Sequence, residues 1–478
     1  MGRDISREEF SPEDFREFHL RLREESMLLM EWFKDGAFEP CVEMCGFELE
    51  MWLIDKNYLP LASNEEFLSR VNNHLVVPEL SKFNFEINST PHQLKGTLLG
   101  NLETELTYLV DRCAHHAEEM DANILSVGIL PTLKDDMLTL DRLSSSKRYA
   151  ALNSQVLALR DGKPIKINIE GNDTLNVEHE DVMVEAAATS LQIHLQVDPS
   201  TAIRYYNVAQ VLSAPMVAVA ANSPYLFGKD LWDETRIPTF EQSVAVKSFR
   251  DYHGQGVERV TFGTGYARNS MMEPFLENLD GFPVILPLVF DEDPSWLSHL
   301  RLHNGTIWRW NRPLIGLDSD ATPHIRIEHR VAAAGPSSVD TVANTAFFLG
   351  MATYFIRQEI PLEDQIFFDD SKDNFYSAAK SGMESQMKWI DGKVHNLRGL
   401  ILDLFLPAAR DGLLNAGVDE AQVTYYIDEV LARRVQTGMT GAAWQRAFIG
   451  KYGPQFQDMT RVYHAYQMEN TPIHEWTV

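Results

Sequence analysis

Residues 46–54 read Gly-Phe-Glu-Leu-Glu-Met-Trp-Leu-Ile, and the alternation in that stretch decides how the rest of the chain is read. It predicts a strand with Phe47, Leu49 and Met51 on one side and Glu48, Glu50 and Trp52 on the other. Two carboxylates on one face are ordinary if that face meets water, because antiparallel sheets commonly leave one side solvated. Three further stretches repeat the parity. Residues 82–91 set Asn84, Glu86 and Asn88 against Phe83, Phe85 and Ile87. Residues 190–197 set Gln192, His194 and Gln196 against Leu191, Ile193, Leu195 and Val197. Residues 324–331 set Arg326, Glu328 and Arg330 against Ile325, Ile327, His329 and Val331. A merely solvated face would favour Lys and Thr over this collection of acids, amides, imidazole and guanidinium.

Carboxylates two residues apart on a strand have Cβ atoms roughly 6.5 to 7 Å apart. At that spacing each can hold one of two divalent ions about 3.5 to 4 Å apart, with oxygens about 2.1 Å from Mg²⁺. Hard oxygen donors point to Mg²⁺ or Mn²⁺; His194 suits Mn²⁺ somewhat better, or serves only as a hydrogen-bond partner. Arg326 and Arg330 beside Glu328 read either as an ion-pair ladder or as groups that neutralise phosphate oxygens shared with the metals. The second reading suggests nucleotide chemistry. No Gly-x-x-x-x-Gly-Lys-Ser/Thr loop is present, and Gly263-Thr-Gly265 lacks both a third glycine and a preceding strand. A bound nucleotide would therefore lie on the sheet through metals. No Gly-x-Ser-x-Gly, His-Glu-x-x-His or Cys-x-x-Cys motif offers other chemistry.

Composition narrows the partners. The 478-residue chain has 44% hydrophobic residues and a formal charge of −27, which repels a phosphate backbone or an anionic membrane. Three cysteines allow one disulfide at most, and a cytoplasmic setting is the simplest expectation. The amino terminus is polar and acidic where a signal peptide needs an apolar core; Gly2 followed by Ser6 meets the myristoylation pattern only formally. The apolar run 342–356 is too short to span a bilayer.

Helical spacing predicts an amphipathic helix over 9–35, a short one over 65–71, a long one over 96–122 and another over 200–221. An apolar strand is expected over 124–130. Residues 229–283, with Gly254, Gly256, Gly263 and Gly265, read as extended loops, and 361–371 as a linker to a mostly helical region. Gly335-Pro-Ser-Ser-Val-Asp340 reads as a capped start to a helix ending near Arg357.

Gly46-Phe-Glu-Leu-Glu50, Glu86-Ile-Asn88, the strand around His194, Ala221-Asn-Ser-Pro224 with Gly228 and Arg236, and Ile327-Glu-His-Arg330 together resemble the glutamate–cysteine ligase superfamily of ATP-dependent carboxylate–amine ligases. The resemblance covers roughly residues 40 to 360. It implies an α+β fold, a curved antiparallel sheet (a glutamine-synthetase-like half-barrel) with helices on its outer face, whose concave side binds two or three Mg²⁺ and ATP. By position it makes Glu48, Glu50, Glu86, His194 and Glu328 metal ligands and Arg330, with Glu328, catalytic. Arg326, Arg236, Gln192, Asn222 and Trp308 become candidates for ATP or substrate. Relatives often carry His-x-His on the third strand, where this chain has Gln192 in the first position. The resemblance also implies a reaction: ATP phosphorylates a carboxylate, expected to be L-glutamate, and an amine such as L-cysteine attacks the acyl phosphate. The loops between Gly254 and Tyr266 are assigned the task of excluding water. Non-enzymatic nucleotide or metal binding, and phosphotransfer to a guanidino compound, are the alternatives. The expected division is a helical segment over 1–37, a catalytic domain over 38–360 and a helical region over 361–478.

Overall fold

A computed structural model describes residues 7–38, 40–246, 249–251, 253–318 and 321–478; Gly2 and Ser6 fall outside them. The four strands predicted from alternation all belong to one eight-stranded sheet. In chain order its strands are β1 (Met44–Asp55), β2 (Val76–Pro78), β3 (Asn84–Asn88), β4 (His92–Gln93), β5 (Ala122–Leu125), β6 (Ser190–Val197), β7 (Asn311–Leu317) and β8 (Pro323–Ala333). Their order is β7-β8-β6-β1-β3-β2, every pairing antiparallel, with β4 continuing the β3 side of β1 and β5 the β6 side. The sheet curls into a half-barrel.

The strands owe their place to the apolar parity. Phe47, Leu49, Met51, Phe85, Ile87, Ile193, Leu195 and Ile327 are each at most 2% exposed on the helix-covered convex side, and a slip of one residue would turn them all toward the concave side. Trp52 breaks the simple alternation. It shares the parity of Glu48 and Glu50 yet is fully buried, its Nε1 donating to Val127 O (3.2 Å) and Thr189 Oγ1 (3.1 Å) and its ring stacked on Phe83. The concave face is therefore filled at that end.

Helix α1 (Pro12–Asp35) starts later than its apolar spacing suggests, because Ser11 caps it and forms a reciprocal capping box with Asp14. It ends at Gly36, whose φ of 71° is a left-handed C-cap. Helix α2 spans Leu98–Glu118. The expected helix over 200–221 is two, α3 (Ala202–Val211) and α4 (Ser213–Ala220). Pro215 has no N–H for the Val211 carbonyl, and the chain breaks the helix there. Residues 229–283 are less open than their glycines suggest, since they hold α5 (Arg236–Ser243) and a helix over Glu273–Gly281. The expected strand over 124–130 shortens to β5. The expected linker 361–371 contains a 3₁₀ turn (Leu362–Asp364) and the start of a helix over Phe368–Ser381.

Helix α6 (Ser338–Phe355), capped by Ser337, is apolar on every side because it is buried on every side. A helix over Leu406–Ala416 crosses it so closely that a Cβ at Gly350 or Gly412 would strike the other helix's backbone. One apolar cluster runs from Phe18 on α1 to Trp476 near the carboxyl end. Among the described residues no helix is long and apolar enough to cross a membrane.

Candidate active site

Register turns four separate polar faces into one surface. Glu50 lies opposite Glu86, Glu48 opposite Gln192, His194 opposite Glu328, and Glu328 opposite Arg312. All of them line a cavity of about 470 Å³ above the concave face. Its walls come from residues 78–80, 146–152 and 298–306 and from α5.

The acids sort into two groups whose donor atoms lie within 4.8 Å of one another: Glu48, His194 and Glu328, and Glu50, Glu79 and Glu86. Two donors on opposite sides of Mg²⁺ lie about 4.2 Å apart, twice its bond length, so both groups have the dimensions of a divalent-ion site. In the first group His194 Nε2 stands 3.3 Å from Glu48 Oε1 and 3.9 Å from Glu328 Oε1. Both of its ring nitrogens are buried without a hydrogen bond of good geometry, which leaves the imidazole available to an ion. Burial opposes ionisation of Glu48, but the neighbouring His194 outweighs it and holds the carboxyl well below its usual range. Glu328 is buried too, yet Arg312 and Arg330 lower it to about 2. Arg312 grips it through two bonds of 2.8 Å, from Nε to Oε2 and from Nη2 to Oε1.

The second group is overloaded. Burial and Glu79 push Glu50 up to about 8 although Arg330 opposes them. Burial together with Glu48, Glu79 and Glu50 raises Glu86 well above the usual carboxyl range, and burial raises Glu79. Glu185, on the 3₁₀ turn Val182–Ala187, also lines the cavity and is raised by burial and by Glu79 and Glu50. Hydrogen bonds aim these acids: Ser190 N–H (2.6 Å) and Gln192 Nε2 (2.9 Å) donate to Glu50, and Asn88 Nδ2 donates to Glu86 (2.9 Å). Buried like charges at this density call for a cation. The residues present therefore fit divalent ions in both groups.

Arginines supply the opposite charge. Arg330 sits at the irregularity of β8 between His329 and Ala332, donates through Nη2 to Gln192 Oε1 (3.1 Å) and lies over the Phe240 ring. Its Nη1 and the Nε of Arg326 are buried donors without a partner. Arg236 lines the cavity, rests on Trp310, donates to Glu234 Oε2 (3.3 Å) and also bonds Val331 O. Trp308 lines the cavity; Trp310 turns away to donate to Glu241 Oε1 (2.9 Å).

Two expectations change place. Asn222 is fully buried outside the cavity, where its amide donates to Ala334 O and Tyr463 OH (2.8 Å each) and accepts from Gln445 Nε2 (3.0 Å); it braces the cavity's supports, not a ligand. No residue of 254–266 lines the cavity, and Tyr266 is tied to Ser371 Oγ at 2.7 Å. Glu79, Glu185, Arg148, Tyr149 and Arg312 join the site without having been singled out from the sequence.

Residues 44–468 match the model of glutamate–cysteine ligase family 2. The chain belongs to this family. It is an ATP-dependent carboxylate–amine ligase, and its family uses divalent metal. A search of curated proteins returns no match. Among solved structures, the glutamate–cysteine ligase of Francisella tularensis in complex with AMP aligns over 90% of each chain with a TM-score of 0.50 at 13% identity. A bifunctional glutathione synthetase from Pasteurella multocida aligns over 93% of this chain and 55% of that one, with a TM-score of 0.52 at 11% identity. At these identities the likeness is one of fold, and it carries the half-barrel expected from the sequence.

Proposed function

We propose that this family 2 ligase forms a γ-glutamyl amide through an acyl phosphate. The observation that carries the reading is the meeting, in one cavity, of two divalent-ion donor groups with the partnerless N–H groups of Arg330 and Arg326. Divalent ions bound by Glu48, His194 and Glu328 and by Glu50, Glu79 and Glu86 supply charge neutralisation for a triphosphate. Arg330 and Arg326 donate to the phosphoryl group in transfer, where charge-assisted hydrogen bonds stabilise most. Gln192 bridges Arg330 and Glu50, so the cationic and acidic parts keep one geometry.

In the reaction a carboxylate oxygen of glutamate attacks the γ-phosphorus and the bond to the β-phosphate oxygen breaks, releasing ADP. The amine nitrogen then attacks the acyl carbon, loses a proton, and inorganic phosphate leaves. The protein forms no covalent bond. Two or three Mg²⁺, or Mn²⁺, complete the site; the similar Francisella structure, which holds AMP, supports nucleotide occupancy of this fold. The acceptor is an amine, with L-cysteine the first to try.

The test is ADP release with L-glutamate and a panel of amines in Mg²⁺ and in Mn²⁺, with product mass measured alongside. An amide of glutamate's mass plus the amine's, less water, is the expected product. ADP release with phosphorylated acceptor and no amide would turn the assignment to phosphotransfer.

A further inference from the structure

The family match begins at residue 44, so helix α1 lies ahead of it, yet α1 is joined to the cavity wall by buried polar bonds. Glu25, 3% exposed in the middle of α1, faces His299, 2% exposed. Glu25 Oε1 lies 2.6 Å from His299 Nδ1, and Oε2 accepts the Leu300 N–H at 2.8 Å. On the far side of the ring His299 Nε2 accepts the Phe290 N–H at 3.1 Å. An imidazole that accepts at Nε2 carries its proton at Nδ1, so the Phe290 amide fixes the tautomer that donates to Glu25. The ring is wedged between Phe18 and Phe290, with centroids 5.3 and 5.4 Å away.

Both ends of this relay hold the same wall. Phe290, Ser298, Leu300, Arg301, Leu302 and Asn304 line the cavity, and the two backbone amides tied by the relay belong to Phe290 and Leu300. The apolar stripe Phe18, Leu22 and Leu29 packs α1 onto the core. A buried carboxylate adds desolvation cost without adding to that packing; what it adds is direction, because it accepts from two donors at fixed positions.

We propose that Glu25 and His299 are positioning residues through which α1 sets the 290–304 wall of the active-site cavity and so tunes ligand binding there. The kinetic half of the test rests on the ligase reading, and the exchange half does not. Three variants of the full chain divide the relay. Glu25→Gln turns an acceptor into a donor facing a donor, His299→Gln keeps an acceptor toward Phe290 while losing Glu25, and His299→Asn does the reverse. Deuterium exchange should quicken about tenfold or more at the Phe290 or Leu300 amide, with β1 and β6 unchanged. KM for ATP, glutamate or the amine should rise about tenfold with kcat within about twofold. Exchange left unchanged at 290–304 in all three variants, or raised equally in β1 and β6, would overturn the inference, as would unchanged KM values in variants whose wall has loosened. A wild-type enzyme that releases no ADP would sink the ligase reading, and the exchange result alone would then decide the relay.

Discussion

The two acidic groups share a strand, since Glu48 and Glu50 are neighbours on one face of β1, but they are built on opposite electrostatic plans. Glu48 has His194 3.3 Å away, and Glu328 has the Arg312 guanidinium as a built-in counter-charge. Glu50, Glu79 and Glu86 have mainly one another, with Glu185 and the helix-borne Arg148 nearby. The first group is settled as it stands, whereas the second stores repulsion that a cation relieves. A single sheet thus presents one charge-compensated wall and one wall of mutually repelling acids.

The strongest way to break this contrast is to remove one charge from the overloaded side. Glu86→Gln should lower turnover about a thousandfold or more, since a donor to the ion is lost. In metal-free buffer the same variant should be more stable than wild type by about 1–3 kcal/mol, because a buried uncompensated group costs that much. Turnover loss accompanied by lower metal-free stability, read from urea unfolding, would mean that the acids are not in repulsion.

On the settled side the sign reverses. Arg312→Ala leaves Glu328, 1% exposed, without its bidentate partner, and should cost about 3–5 kcal/mol in the same unfolding measurement. Arg312→Lys should recover only part of it, because one ammonium cannot repeat the two parallel bonds. Equal stability of the alanine variant and wild type would show that Arg312 is not what compensates Glu328.

The pH dependence separates the groups further. Glu328 drops from 4.5 to about 2 on folding, so its stabilisation is full above 4.5 and is lost as pH falls toward 2. Glu50 rises from 4.5 to about 8, so the metal-free protein loses stability as pH climbs through that window. Melting temperature without metal should fall by several degrees between pH 5 and pH 8.5, the effect of about 4 kcal/mol over roughly three pH units of that window, and Mg²⁺ or Glu50→Gln should flatten the decline. A profile identical in wild type and variant would place the titration elsewhere.

Strand parity was legible because the convex side is buried: Phe47, Leu49, Ile193 and Ile327 could not be exchanged with the acids without unmaking the core. Residues outside that alternation were not legible. Glu79 follows the three-residue β2, too short to show a period. Arg312 belongs to β7, which carries Pro313 and shows no clean alternation; as the outer strand of the sheet, β7 accommodates a proline. Asn222 has the residue type of a ligand contact and the environment of a brace, and only tertiary contacts distinguish the two. Trp52 kept the parity of the acids while the Val127 and Thr189 backbone and side chain closed over it.

The smallest predicted effect sharpens the contrast at its one non-carboxylate donor. His194 holds two buried ring nitrogens without hydrogen bonds, while every other member of the two groups is an oxygen donor. Imidazole favours Mn²⁺ over Mg²⁺ by more than a carboxylate does, so the first group should discriminate between the ions through His194 alone. His194→Asn should reduce Mn²⁺-supported turnover more than Mg²⁺-supported turnover, changing their ratio by about threefold to tenfold. If both activities fall by the same factor, His194 orients Glu48 and Glu328 through hydrogen bonds and does not ligate. The ion of the settled group would then be held by oxygen on every side.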